Sequence, residues 1–219
     1  MTEQPVPAGI SLEPDGVPRC WWGAGNPLYR AYHDTEWGRP VAHDRTLFEK
    51  LSLEGFMAGL SWLTILRKRE NFRRAFANFE PDAVAGFGPG DVERLLADAG
   101  IVRHRGKIEA VITNARRYRE LRETDGSLAA FAWSYEPDPA TRSAGLDHET
   151  LTTVTFTAEA KAMSRELKRR GWAFVGPTTV YSFMEAMGIV NDHLTGCSVR
   201  DAIEAERRAF IRPRPRPTA

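Results

Sequence analysis

The stretch "DVERLLADAGIVRHRGKIEAVITNARRY", residues 91–118, reads as two helices joined by a tight connection at Gly100. From about Gly106 onward, Ile108, Val111, Ile112, Ala115 and Tyr118 recur at the three-and-four spacing of one helix face. Asp91 follows "GPG" and is expected to cap the first helix, while "TDG" at 124–126 is expected to turn the chain after the second. The connection carries Arg103, His104, Arg105 and Lys107. Amides at such a turn, and at the helix start that follows, are oriented to meet an anion. Gly100, Arg103, Arg105, Gly106 and Lys107 are therefore candidates for holding a nucleic-acid backbone, and a solvated basic loop is the competing reading.

Outward from this hairpin the dominant period remains helical. Phe72, Phe76 and Phe79 form one such stripe, and Phe183, Met184 and Met187 another. Thr157 is placed to cap "AEAKAMSRELKRR", whose basic last turn suits the helix dipole. Strand candidates are short: "LTTVTFT" at 151–157 and "WAFVG" at 172–176. The expected class is all-α, with a folded domain at 19–200 between two tails. Residues 1–18 hold Pro5, Pro7, Pro14 and Pro18, and residues 201–219 end in "RPRPRPTA"; both read as flexible.

A chain of 219 residues can bury a core without disulfides, and its 2 cysteines are too few for a disulfide scaffold. The formal net charge of +1 excludes a global basic field, though Arg67, Lys68, Arg69, Arg116, Arg117, Arg119, Lys168, Arg169 and Arg170 form a footprint if the fold gathers them. No apolar run approaches the roughly 20 residues of a membrane span, and the N-terminus lacks a signal-peptide layout. A cytoplasmic protein is expected.

A second stretch, "RCWWGAGNPLYRAYHDTEWG" at 19–38, concentrates Cys20, His33 and 3 of the 6 tryptophans. Far downstream, "NDHLTGC" supplies His193 and Cys197, which would share a face if helical. Two cysteines and two histidines complete a tetrahedral zinc site. The residues alone leave open a pair of reduced cysteines or a Cys20–Cys197 disulfide. In "LFEKLSLEGFMAGLSW", residues 47–62, Glu54 enters an apolar stripe, so it either meets a partner or lines a cleft. On an unbroken helix Trp62 would lie about 80° around from it.

Together "RCWW", "NPLYRAYHDTEWG", "LEGFMAGLSW", "DAGIVRHRGKI" and "FVGPTTVYSFMEAMGIVNDHLTGC" resemble the 3-methyladenine DNA glycosylase I family, in order from Arg19 to Cys197. The resemblance implies a helix-hairpin-helix glycosylase, acting as a monomer on alkylated double-stranded DNA in the bacterial cytoplasm, at the nucleoid. It excises 3-methyladenine without an organic cofactor or a membrane. It implies that Cys20, His33, His193 and Cys197 hold one structural zinc in a subdomain built from 19–38 and about 176–200. Glu54 falls on the family's catalytic carboxylate. Tyr32 and Trp62 fall on its base-contacting tyrosine and stacking tryptophan, and Tyr29, Trp22 and Trp37 on the other pocket aromatics. Met57 departs from the glutamine common in the family, which leaves room for an altered lesion range or for a zinc-stabilised DNA-binding protein without catalysis. Lys107 and Asp125 have nearly the separation found in bifunctional relatives that act as lyases, although Asp125 before Gly126 suits a turn. Trp21 and Asp34 carry no assignment.

Overall fold

The computed structural model describes residues 6–138, 140 and 146–216. The chain divides into two compact units. The first takes residues 1–40, 136–155 and 184–211 as far as they are described, and the second takes 41–135, 156–183 and 212–219 likewise.

The first unit opens with a small antiparallel ladder of β1 (Ile10–Leu12) and β2 (Pro18–Cys20), in which Ile10 pairs with Cys20. This ladder lies partly in the segment expected to be a flexible tail. It persists because Ile10 and Cys20 are buried together with Leu194 and Cys197. Helix α1 (Pro27–Thr35) follows, started by Asn26, whose side chain accepts from the amides of Leu28 (2.9 Å) and Tyr29 (3.4 Å), with Pro27 at the first helical position.

The second unit is built around α2 (Asp44–Met57), which buries not only Leu47, Phe48, Leu51, Leu53 and Phe56 but also Lys50, Ser52, Glu54 and Gly55. From Lys50 to Phe56 the helix is buried all round, so this part is central rather than amphipathic and the stripe read from its sequence is only part of its contact surface. The chain then turns at Gly59, whose φ of +79° is a region that favours glycine, and Ser61 caps α3 (Trp62–Ala75) by accepting from the Thr64 amide at 3.3 Å. Glu54 and Trp62 are thus on two helices, not one. Phe72 is on α3, but Phe76 ends that helix and Phe79 lies in a separate single turn; the Phe76 and Phe79 rings still stack at 5.5 Å.

After α4 (Pro81–Ala85) comes the expected hairpin, α5 (Pro89–Ala97) and α6 (Arg105–Asp125). Asp91 is not its cap. Pro89 starts the helix earlier, Gly88 takes the cap position, and Asp91 Oδ2 accepts from the Gly88 amide at 3.0 Å. The face Ile108, Val111, Ile112, Ala115 and Tyr118 is buried as expected, and α6 ends at Asp125 before Gly126. At the start of α7 (Leu128–Trp133), Asp44 accepts from the amides of Leu128 (3.0 Å) and Ala129 (2.9 Å) and from the Tyr118 hydroxyl (2.8 Å). Burial, aided by the Asp44 carboxylate, pushes Tyr118 up to about 12.

Neither strand candidate forms. Residues 151–153 close α8 (His148–Thr153) of the first unit, because Asp147 accepts from the Thr150 amide at 2.7 Å and the threonine hydroxyls bond back to carbonyls of their own turn. Residues 172–176 are an irregular link tied by Asn114, which exchanges hydrogen bonds with the Ala173 amide (2.8 Å) and carbonyl (3.0 Å). Before it lies α9 (Ala158–Arg169), capped by Thr157 and ending in Lys168 and Arg169 as expected; after it, α10 (Pro177–Ala186) carries the chain from the second unit into the first. The expected C-terminal tail contains α11 (Arg200–Ala209), and Arg212 lies over the Trp133 ring at 5.6 Å. No described helix is long and apolar enough to cross a membrane.

Candidate functional site

In the first unit, Cys20, His33, His193 and Cys197 are all buried, with ligand-type atoms within 4.8 Å of one another. His193 and Cys197 lie in a loop after α10, not on a helix face, yet Cys197 Sγ is 3.5 Å from His193 Nδ1. Cys197 Sγ is 3.4 Å from His33 Nε2, and Cys20 Sγ is 3.8 Å from His193 Nδ1. A tetrahedron with bonds of about 2.3 Å to sulfur and 2.0–2.1 Å to nitrogen has sulfur–nitrogen edges of about 3.6 Å, so the four residues fit one metal ion. Both thiols are free, which removes the disulfide alternative. The hydrogen bond between them, reinforced by burial, pushes the Cys20 thiol up. The same bond, with help from His193 and His33, pulls the Cys197 thiol down against its burial. The cluster thus favours a thiolate, the form a metal ion needs.

The outer nitrogen of each histidine is also held. His193 Nε2 is 3.1 Å from the Trp37 carbonyl, which turns Nδ1 toward the thiols. His33 Nδ1 is 2.8 Å from Asp34 Oδ1, which does the same for Nε2. Asp34 is fixed by Arg19, whose Nε lies 3.0 Å from both carboxylate oxygens. Its burial works to raise the carboxyl's pKa, but hydrogen bonds from Arg19 and His33 outweigh it and hold the group below the usual range. The Leu194 amide donates to Cys20 Sγ at 3.3 Å. Sequence reasoning left Asp34 unassigned; an aspartate directly after a candidate ligand was the available signal. Asp34→Asn is expected to lower metal affinity about 10- to 100-fold, measured by competition with a chromophoric chelator.

The aromatic residues of 19–38 surround this cluster. Trp22 meets Trp37 edge to face at 4.8 Å, His33 at 5.2 Å and Tyr29 at 6.0 Å, and is tilted against Tyr32 at 6.3 Å. Trp37 lies against His193 at 4.6 Å. Gly23 is required here, since a Cβ would stand 2.7 Å from the His33 ring. Trp21 points elsewhere, onto His148 at 4.7 Å.

In the second unit, Glu54 is 3% exposed and both meets a partner and keeps an open acceptor. Oε1 is 2.6 Å from Lys50 Nζ, one helical turn earlier on α2, while Oε2 is buried without a hydrogen-bond partner among the described residues. The same ammonium stands 3.2 Å from the centroid of the Trp62 ring. Lys50 therefore joins the two residues of this unit that the family pattern assigns to base recognition. It was missed in the sequence, although its spacing of four before Glu54 placed it on the same face.

The hairpin residues divide. Lys107 is buried, and its ammonium donates to the carbonyls of Phe56 (3.0 Å) and Ala58 (2.5 Å) at the end of α2, so its charge is spent inside the unit. Burial pulls its pKa down. Gly100 also faces inward, its amide on Asp98 at 2.7 Å and its carbonyl on Asn71 at 3.1 Å. His104 caps α6, accepting from the Lys107 amide at 3.2 Å. Arg105 pairs with Glu93 at 2.7 Å, whereas Arg103 is exposed and makes no hydrogen bond or ion pair among the described residues. Of the wider basic set, Arg119 is tied to Asp82, Arg117 to Glu120, and Arg169 and Arg170 to Glu166. Asp125 is bound by Arg170, so neither it nor Lys107 is placed for lyase chemistry.

Residues 21–201 match the family described as methyladenine glycosylase. DNA-3-methyladenine glycosylase 1 of Escherichia coli is 49% identical over 181 residues, 82% of this chain and 95% of that protein. The DNA-3-methyladenine glycosylase of Haemophilus influenzae is 40% identical over 82% of this chain and 96% of its own length. A crystal structure of 3-methyladenine DNA glycosylase I superimposes with a TM-score of 0.75 at 47% identity, covering 82% of this chain and 98% of the other. The Staphylococcus aureus enzyme, solved to define its recognition of 3-methyladenine, gives 0.77 at 39% identity over 83% and 96%. The match takes in α1 to α10 and three of the four cluster residues, His33, His193 and Cys197, and on it the chain belongs to the methyladenine glycosylase family.

Proposed function

We infer that this chain is a DNA-3-methyladenine glycosylase, which extrudes N3-methyladenine from alkylated duplex DNA and hydrolyses its N-glycosidic bond to leave an abasic site. The observation that carries the reading is the buried carboxylate of Glu54, with Oε2 still open as an acceptor, in a family whose relatives bear that activity in their names.

The chemistry follows from the lesion. Methylation at N3 makes the base a cation, so it leaves without first being protonated. Water attacks the anomeric carbon and gives up one proton to solvent, the glycosidic bonding pair departs with the base, and that pair cancels the base's charge. Glu54 opposes the positive charge of the bound base and accepts hydrogen bonds from its edge. The Trp62 face adds roughly 0.5 to 2 kcal/mol of attraction for a cation. Extrusion costs a few kcal/mol, and less for a poorly stacked lesion. Tyr32, Tyr29, Trp22 and Trp37 carry the remaining base-pocket assignments on the family's pattern. Chromatography of bases released from methylated duplex DNA should show free 3-methyladenine; none released would end the reading.

We assign one zinc to Cys20, His33, His193 and Cys197, where it supplies a structural clasp and no part of the bond cleavage. The chain acts as a monomer in the bacterial cytoplasm, on nucleoid DNA.

For duplex binding the favoured contacts are Arg103, Arg105 and the amides of the α6 start, including Gly106. Arg103→Ala should weaken binding to all sequences alike and reduce the salt slope by about 1. Lys107→Met should leave that slope unchanged and lower Tm by about 2 to 10 °C, because two carbonyls lose their donor. Fluorescence anisotropy across a salt series and a thermal melt separate the two.

A further inference from the structure

Lys50 extends along α2 to reach two partners at once, Glu54 Oε1 at 2.6 Å and the Trp62 ring centroid at 3.2 Å. Its side chain is 7% exposed. An ammonium is a compact, strongly hydrated ion, and burying it is costly unless other groups replace its water. Here a carboxylate and a π face do so. They are the same two groups that the glycosylase reading assigns to the cationic base, and this inference rests on that reading. Stacked rings lie roughly 3.5 Å apart. An ammonium 3.2 Å above the centroid and a base on the same face therefore claim one volume.

We propose that Lys50 is an internal surrogate for the cationic base, filling the recognition site at rest, so that a flipped nucleotide docks only by displacing the ammonium from Trp62 and Glu54. The displacement reduces the apparent affinity of every base by the fraction of time the site is clear. A base that carries a positive charge restores both interactions the ammonium gave up. A neutral purine restores neither, and leaves the Glu54 carboxylate without an opposing charge. Lys50 is thus a specificity-determining residue that raises the threshold for docking above what undamaged bases reach.

The decisive measurement uses wild-type protein. The terminal methylene protons of Lys50, held over an indole, resonate upfield, and saturation with 3,9-dimethyladenine, whose substituted N9 keeps the ring cationic as it is in DNA, should move them to the ordinary lysine position, whereas the neutral 9-methyladenine should not. If they stay upfield in the saturated protein, the proposal is overturned. Two variants give opposite expectations that a purely structural lysine would not. Lys50→Met, similar in volume and uncharged, should bind the 3,9-dimethyladenine cation at least tenfold more tightly. Lys50→Arg should bind it more weakly, because a flat guanidinium covers the same ring and keeps its hold on the carboxylate. Weaker binding by Lys50→Met, confirmed as folded by its melt, also overturns the proposal; should it not fold, the wild-type spectrum decides alone. A wild type that releases 3-methyladenine from methylated DNA while Lys50 stays put removes this inference and leaves the glycosylase reading intact. Absence of release removes both.

Discussion

Glu54→Gln is expected to slow 3-methyladenine release by about 10²- to 10³-fold, the usual cost of removing one preorganised charge-stabilising group from a dry site. Duplex affinity should stay close to wild type, and Tm should fall less than in Glu54→Ala. The substitution keeps the shape of the side chain and a carbonyl oxygen able to accept from Lys50, which now stands 2.6 Å from Oε1. What it removes is the negative charge opposite the base. Glu54→Ala is the poorer test. It strands the Lys50 ammonium in the interior, and breaking a buried pair by deleting one partner costs about 3–5 kcal/mol. Lost activity would then reflect lost fold. Single-turnover release from methylated duplex DNA, with anisotropy and melting on the same preparation, separates the two causes.

Cys197→Ala is expected to abolish metal binding and to unfold the first unit at temperatures where the second remains folded. The melt should split into two transitions, and chelator treatment of the wild type should reproduce the split. Elemental analysis of wild type purified without chelator should give one zinc per chain, and a value far below one would remove the assignment. The size of the effect follows from where the cysteines lie. Both belong to a buried cluster of that unit, in which Cys20 and Cys197 pack with Ile10 and Leu194. Structural zinc contributes about 10–16 kcal/mol of binding free energy in small domains, against a net stability of about 5–15 kcal/mol for a typical protein. Because the thiols bind as thiolates, acid must compete with the metal, and affinity should fall as pH is lowered.

The hairpin and the four cluster residues were legible because each carries a local signature: helical periodicity around Gly100 in one case, a rare residue type in the other. What failed did so through packing. Lys107 reads as a surface charge in any window of sequence, and only the end of α2 beside it explains why its ammonium turns inward. Lys50 stayed hidden because α2 is buried all round from residue 50 to 56, a state in which a lysine is not expected. The threonine-rich run at 151–153 has strand propensity, and a capping aspartate overrides it. Residues 10–12 seemed too poor in apolar content to fold, since their partners, Leu194 and Cys197, are supplied from the other end of the chain.

The clasp also has a schedule. Cys197 and His33 meet at 3.4 Å but are separated by 164 residues of chain. At synthesis rates of about 5–20 residues per second, the first two ligands are made roughly 8 to 33 s before the last. The stretch from 41 to 183, which holds nearly all of the second unit, emerges in that interval and can assemble while Cys20 and His33 wait as bare side chains. The four-residue set is therefore complete only at the end of synthesis, and a chain that stops short of Cys197 leaves the ribosome without it.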